Sequence, residues 1–193
     1  MRLRGILLAI GMGSVLAACD RAPRDVPCPP AQVGELVITE VRGEQLDESD
    51  VGGQWIEVAN VSSQSIPLAG LLLRLRRQDG SGEIELLVRD GALAVPAGGR
   101  VVLGRFPSGD LPAHADYGYA DDYEGELYGS GLLELESCGT LIDRASWTEL
   151  PGTGTLELDG ATQPDADAND TAASWCIDPA ADGTPGEDNP TCA

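Results

Sequence analysis

The sequence predicts an all-β fold, an antiparallel β-sandwich, and three observations carry that prediction. Apolar segments of four to eight residues recur from residue 34 onward; clusters of Gly, Asp, Ser and Pro cut them apart; and no amphipathic helical pattern follows the N-terminal segment. Residues 36–41 read as the first strand, 55–60 as the second and 71–76 as the third, with a turn at Asp79 and Gly80. Residues 83–88 put Ile84, Leu86 and Val88 on one face at a period of two. A strand at 100–104 is entered through the turn 96–99, and further strands are expected at 132–136, 140–147, 155–158 and, briefly, 174–176. About nine short strands with turn signals between them fit one sandwich domain. Aromatic residues are only 4% of the chain, so its core must rest on Leu, Val and Ile plus the tryptophans.

The N-terminus is of a different kind. Arg2 and Arg4 precede an apolar run at 5–15, and Leu16-Ala17-Ala18-Cys19 follows it directly. About eleven apolar residues are roughly half of what a membrane-spanning helix requires. The run resembles the signal peptide of a bacterial lipoprotein with its lipobox. That resemblance implies cleavage after residue 18, a diacylglyceryl group on Cys19 and a bacterial cell-envelope location, lipid-anchored, with the domain facing the periplasm or the exterior. Residues 19–33, holding Pro23, Pro27, Pro29 and Pro30, are expected to form a stiff polar tether. The domain is expected over 34–193.

The formal charge is −20. Two of the 12 basic residues lie in the signal segment, so the mature part sets 10 Arg against 32 Asp and Glu, a formal −22. Such a surface repels nucleic acid and anionic lipid, and suits a solvated domain, a cationic partner or calcium. Of five cysteines, Cys19 is assigned to lipid. Cys28, Cys138, Cys176 and Cys192 then form two disulfides, with three pairings possible. The expected pairs are Cys138 with Cys176 inside the domain, and Cys28 with Cys192 tying its ends together.

Three segments carry a further resemblance: the strand at 36–41; Trp55, Ile56, Glu57 and Asn60 followed by 68–71; and Thr184-Pro185-Gly186 with Asn189 after Trp175. Together with the turn 96–99 and residues 139–143, they resemble the lamin-tail domain over about residues 34–189. The likeness implies an immunoglobulin-like sandwich and supplies no catalytic residues. The insertion at 106–130 and the cysteines depart from the family pattern. Residue chemistry gives these pieces structural tasks. Trp55 and Glu57 face one side of their strand and Ile56 and Val58 the other. Asn60 is placed to cap turn backbone groups, and Glu40 and Glu57 to accept hydrogen bonds from loop backbone.

Three constellations are candidates for function. Asp165, Asp167 and Asn169 have the D-x-D-x-N spacing of calcium loops, although Asp170 stands where such a loop needs Gly. Asp116, Asp121, Asp122, Glu124 and Glu126 form a second acidic cluster. Within it lie all four tyrosines, Tyr117, Tyr119, Tyr123 and Tyr128. On a long loop they form either a recognition surface or a layer folded back on the sandwich. His114 is the only histidine, and no nucleophile motif accompanies it. The expected function is not enzymatic and needs no cofactor apart from the calcium option. It is a membrane-anchored binding module for an envelope protein or polysaccharide, or a structural envelope lipoprotein or accessory subunit without a discrete ligand.

Overall fold

The computed structural model describes residues 26–47, 50, 52–178 and 183–193. The signal segment, Cys19 and residues 20–25 of the expected tether lie outside the described residues. Among the described residues twelve strands form: β1 (Leu36–Arg42), β2 (Trp55–Asn60), β3 (Ile66–Pro67), β4 (Leu71–Arg77), β5 (Ile84–Leu87), β6 (Ala94–Val95), β7 (Arg100–Gly104), β8 (Tyr117–Gly118), β9 (Gly131–Ser137), β10 (Thr140–Trp147), β11 (Thr155–Leu158) and β12 (Trp175–Asp178). The other regular element is a 3-10 turn, Ala172–Ser174. All nine expected strands are present, and β3, β6 and β8 are two-residue additions. No helix of the described residues is long and apolar enough to cross a membrane.

A six-stranded sheet in the order β12-β11-β1-β2-β7-β8 packs on a four-stranded sheet, β10-β9-β4-β5, with β3 and β6 as a separate pair. Neighbours are antiparallel throughout except β7 and β8. Leu36, Ile38, Val41, Ile56, Val58 and Leu103 of the larger sheet meet Leu71, Leu73, Leu75, Leu133, Leu135 and Ile142 of the smaller in one core. The inward residues of β4 and β9 alternate with half-exposed ones, as in a sheet with one wet face. Strands β1 and β2 are instead buried at every position. Their outer face is covered as well, and this is where the polar residues collect.

A bulge in β1 between Ile38 and Glu40 sets that face. The extra residue, Thr39, shifts the inward phase from Leu36 and Ile38 to Val41, so Thr39 and Glu40 both turn outward. Strand β11 reaches only Glu40 and Val41 of β1. Beyond its end, the Ile38 N–H donates to Asp143 Oδ2 at 2.7 Å, and Asn169 Nδ2 donates to the Ile38 carbonyl at 3.2 Å. Two side chains thus satisfy backbone groups that a ladder would otherwise take.

Two expectations are corrected here. The disulfides are Cys28–Cys138 and Cys176–Cys192, not the expected pairs. Cys138 stands with Gly139 in the two-residue turn between β9 and β10, both at positive φ, which places it at one end of the smaller sheet. Cys176 is on the edge strand of the larger sheet, where the C-terminal run passes. The two cysteines belong to different sheets, and each bonds the terminal segment that reaches it. Residues 26–33, expected to continue a free tether, are packed on the domain. Pro29 is buried and its carbonyl accepts the Ser137 hydroxyl at 2.7 Å; Ala31 packs against the core; and Gly34 N–H donates to Ile142 O at 2.8 Å. Gly70, at φ +92°, meets the Pro27 carbonyl so closely that any side chain there would collide with it.

Candidate functional site

The outer face of the larger sheet carries Glu157, Glu40 and Glu57 side by side on β11, β1 and β2, as direct cross-strand neighbours. All three are fully buried. Carboxylates opposite one another repel, so the row needs donors above it. The C-terminal segment 183–193 supplies them to Glu40 and Glu57. The Thr184 N–H donates to Glu40 at 3.1 Å and its hydroxyl donates to the same carboxyl. Gly186 N–H donates to Glu57 Oε2 at 2.7 Å, while the Thr39 hydroxyl donates to Oε1 at 2.6 Å. Arg100 pairs with Glu57 at 3.2 Å and with Asp188 of the covering segment at 2.8 Å. Asn189 Nδ2 completes the attachment by donating to Thr39 O at 3.0 Å and Leu158 O at 2.8 Å.

Burial, then the neighbouring Glu57 charge, pushes Glu40 up to about 8, against the opposing pull of the Thr184 hydroxyl. Burial likewise raises Glu57 to about 7, opposed by Thr39, the Gly186 N–H and Arg100. Both side chains are fully buried beneath the strap and present no face to a dissolved substrate. Glu40 and Glu57 accept loop backbone hydrogen bonds as the sequence suggested. Glu157, Arg100 and Thr39 were not singled out, because in a pattern such as Thr155-Leu156-Glu157-Leu158 an alternating polar residue reads as solvent-facing.

Asn60 behaves as expected. Its Nδ2 donates to Gln64 O, Val95 O and Pro96 O at 2.7–3.0 Å, and its Oδ1 accepts the Ser62 N–H, so one buried amide ties the 61–65 loop to the chain at 95–96. Trp55 lies buried on the outer face beside His114, with ring centroids 6.4 Å apart, and His114 meets Phe106 edge-on at 5.7 Å. His114 Nε2 lies 3.1 Å from the Gly52 carbonyl, which requires the hydrogen on that nitrogen. The sole histidine is therefore part of a packed aromatic group.

The D-x-D-x-N loop does not gather its oxygens around one point. Asp165 Oδ1 accepts the N–H groups of Asp167 and Ala168 at 3.0 and 2.9 Å, folding the loop on itself. Asn169 is buried; its Nδ2 serves Ile38 O and Asp143 Oδ2, and its carbonyl accepts the Trp175 indole N–H at 2.8 Å. Asp170 pairs with Arg144 at 3.0 Å. Asp143 Oδ1 and Asn169 Oδ1 are buried without hydrogen-bond partners, and burial raises Asp143 to about 7, both of which favour a neutral Asp143 carboxyl. Among the described residues no group of three or more His, Cys, Asp or Glu side chains is placed to hold a metal ion.

The tyrosines take the folded-back arrangement of the two that the sequence left open. Tyr119 is in the core, and Tyr117, Tyr123 and Tyr128 pack against it. Tyr117 bridges to the β5 end through Leu87 O and Arg89 N, Tyr128 donates to Gly82 O at 2.7 Å, and the Arg77 guanidinium sits 4.4 Å above the Tyr128 ring. Beside Tyr117 a cavity of about 310 Å³ is lined by Arg89, Ser108, Asp116, Asp121 and Asp122. Asp116 accepts the Val102 N–H, Asp121 accepts the Ser108 N–H and Asp122 pairs with Arg89, so this acidic cluster orders its own loop. Glu124 and Glu126 project outward from it.

The chain matches no protein-family model and no curated protein sequence.

Proposed function

We propose that this chain is a lipid-anchored protein of a bacterial cell envelope that displays a lamin-tail-like sandwich as an interaction module. The observation that carries the reading is Leu16-Ala17-Ala18-Cys19, directly after a basic start and a short apolar run. Two disulfides among the remaining cysteines suit an oxidising, extracytoplasmic compartment. The lamin-tail likeness draws support from the meeting of its three segments on one sheet face. Glu40 of the first and Glu57 of the second hold Thr184 and Gly186 of the third. The carboxylates engaged there are structural, and no catalytic residue is assigned.

The packed tyrosines favour the second reading, a structural lipoprotein whose loop 105–130 stabilises the sandwich without binding a ligand through its aromatic faces. One experiment separates the two. The acylated protein is used as bait for detergent-solubilised envelope, alongside a Glu124→Gln/Glu126→Gln variant, whose two acids are exposed and leave the packed rings in place. A partner captured by the wild type and lost with the variant supports the interaction module. Recovery of no partner, in material whose intact mass carries the acyl groups on Cys19, leaves the structural lipoprotein. A protein that keeps its signal segment and gains no acyl mass removes the anchor from both readings.

A further inference from the structure

Charge is distributed unevenly over the two ends of this sandwich. At the end where β1 begins and β2 finishes, four segments come together. Residues 26–34 join 138–142 through the Cys28–Cys138 bridge and the Gly34–Ile142 hydrogen bond. Residues 61–70 join them through Val61 N–H to Glu35 O, at 3.0 Å, and through the contact of Gly70 with Pro27. Residues 91–99 join through Asn60 and through the β3–β6 pair. Charged residues are 23% of the chain, yet these four segments contain none. Three aliphatic side chains stand out from them: Val33 is 72% exposed, Val61 43% and Leu141 38%. Proline, alanine, serine and glutamine fill the surface between. Among the described residues, charged groups border these four segments and do not lie within them. Glu35 accepts the Gln32 N–H, Asp90 and Arg100 flank residues 91–99, and the Asp165–Asp167 turn reaches Gly34 through Ala166. The opposite end carries Glu44, Asp47, Asp79, Glu83, Glu124 and Glu126 on its loops.

We propose that this uncharged end is the surface on which the domain rests against the bilayer that holds its anchor. The inference depends on the acylation of Cys19 proposed above. The described chain enters the domain at this same end, and Val26 is seven residues from Cys19. Fully extended, that length spans about 25 Å, so the anchor keeps the uncharged end close to the headgroups. A surface of such net charge is repelled by anionic lipid, and the four uncharged segments carry the least of that penalty among the described residues. Exposed valine and leucine gain from partial burial among headgroups, and the tether raises their local concentration enough for weak contacts to orient the domain. The acidic end then faces away from the membrane.

Hydrogen exchange on the full acylated protein in phosphatidylcholine vesicles, compared with the Cys19→Ser protein in the same buffer, tests this directly. The expected result is severalfold slower exchange at amides of 61–65, 96–99 and 138–141, with 78–83 and 121–126 unchanged. A Val33→Glu/Val61→Glu/Leu141→Glu variant, altered only at exposed positions, is expected to keep its melting temperature and lose the slowing. Slowing that survives in that variant, or that is equal at both ends, overturns the proposal. Slowing of the same amides in Cys19→Ser protein without vesicles, growing with protein concentration, would assign the surface to a second copy and also overturn it. Intact mass keeps the two failures apart. Without acyl groups on Cys19 the anchor reading falls and takes this inference with it; an acylated, vesicle-bound protein with no slowing removes the inference alone.

Discussion

Two neighbouring glutamates under a strap, Glu40 and Glu57, together with Asp143, make proton binding part of what holds the fold. The usual carboxyl value of 4.5 becomes about 8 for Glu40 and about 7 for Glu57, and Asp143 climbs from 3.8 to about 7. A raised value means the folded state binds protons more tightly than the unfolded chain. The stability these groups contribute is therefore complete below their unfolded values and is lost as pH rises through 7 and 8. The melting temperature is expected to fall between about pH 5 and pH 9. Glu40→Gln keeps an acceptor for Thr184 and removes the charge, so it should flatten the alkaline part of that fall and stand above the wild type near pH 9. Parallel curves for the two proteins would refute this assignment. Asn169 supports a second expectation of the same kind. Its amide is committed to Ile38 and Asp143, so millimolar calcium should leave the melting temperature where it was. A rise that Asp165→Asn abolishes would show that the loop rearranges around an ion.

Among the elements, strands with clean alternation or continuous apolar runs were legible, because burial on one or both faces leaves a periodic trace. Strands β2, β7, β10 and β11 have the expected limits. The two-residue strands β3, β6 and β8 left none, since a pair of bridge residues is too short to have a period. The bulge at Thr39 was hidden for the opposite reason: it breaks the period inside a strand whose every residue is buried. Cysteine pairing was not legible at all, because it depends on which sheet each cysteine joins. Tyrosine packing was undecided because the same side chain suits a core edge and a recognition surface. Glu40 and Glu57 were legible as acceptors, whereas the donors and the third glutamate became visible only once the strap was in place. The Cys176–Cys192 bridge closes a separation of 16 residues and fixes that strap on β12. Replacing both cysteines by serine should cost about 3 kcal/mol, read as a shift of the denaturation midpoint. It should also raise hydrogen exchange at 184–189 before the rest of the sheet. A non-reducing digest should yield the Cys28–Cys138 and Cys176–Cys192 peptides; a Cys138–Cys176 peptide would contradict this fold.

For the molecule as a whole, a formal charge of −20 is a standing self-repulsion that added salt relieves. The melting temperature of the domain is expected to increase from low ionic strength to about 0.5 M sodium chloride, and to do so equally with non-coordinating cations. No change, or a decrease, would mean that pairs such as Arg42–Asp50 and Arg74–Glu136 outweigh the excess of acids. The bridge between Cys28 and the β9–β10 turn also has a mechanical meaning. Tension arriving from the N-terminal side of Cys28 passes straight across the sulfurs to the end of the smaller sheet. Strand β1, which follows Cys28 in the chain and lies in the middle of the larger sheet, is shielded from being peeled away. With the bridge closed, the chain between Cys28 and Cys138, a sequence separation of 110, cannot lengthen the molecule. Reduced, it becomes slack, and a short leash turns into a long one.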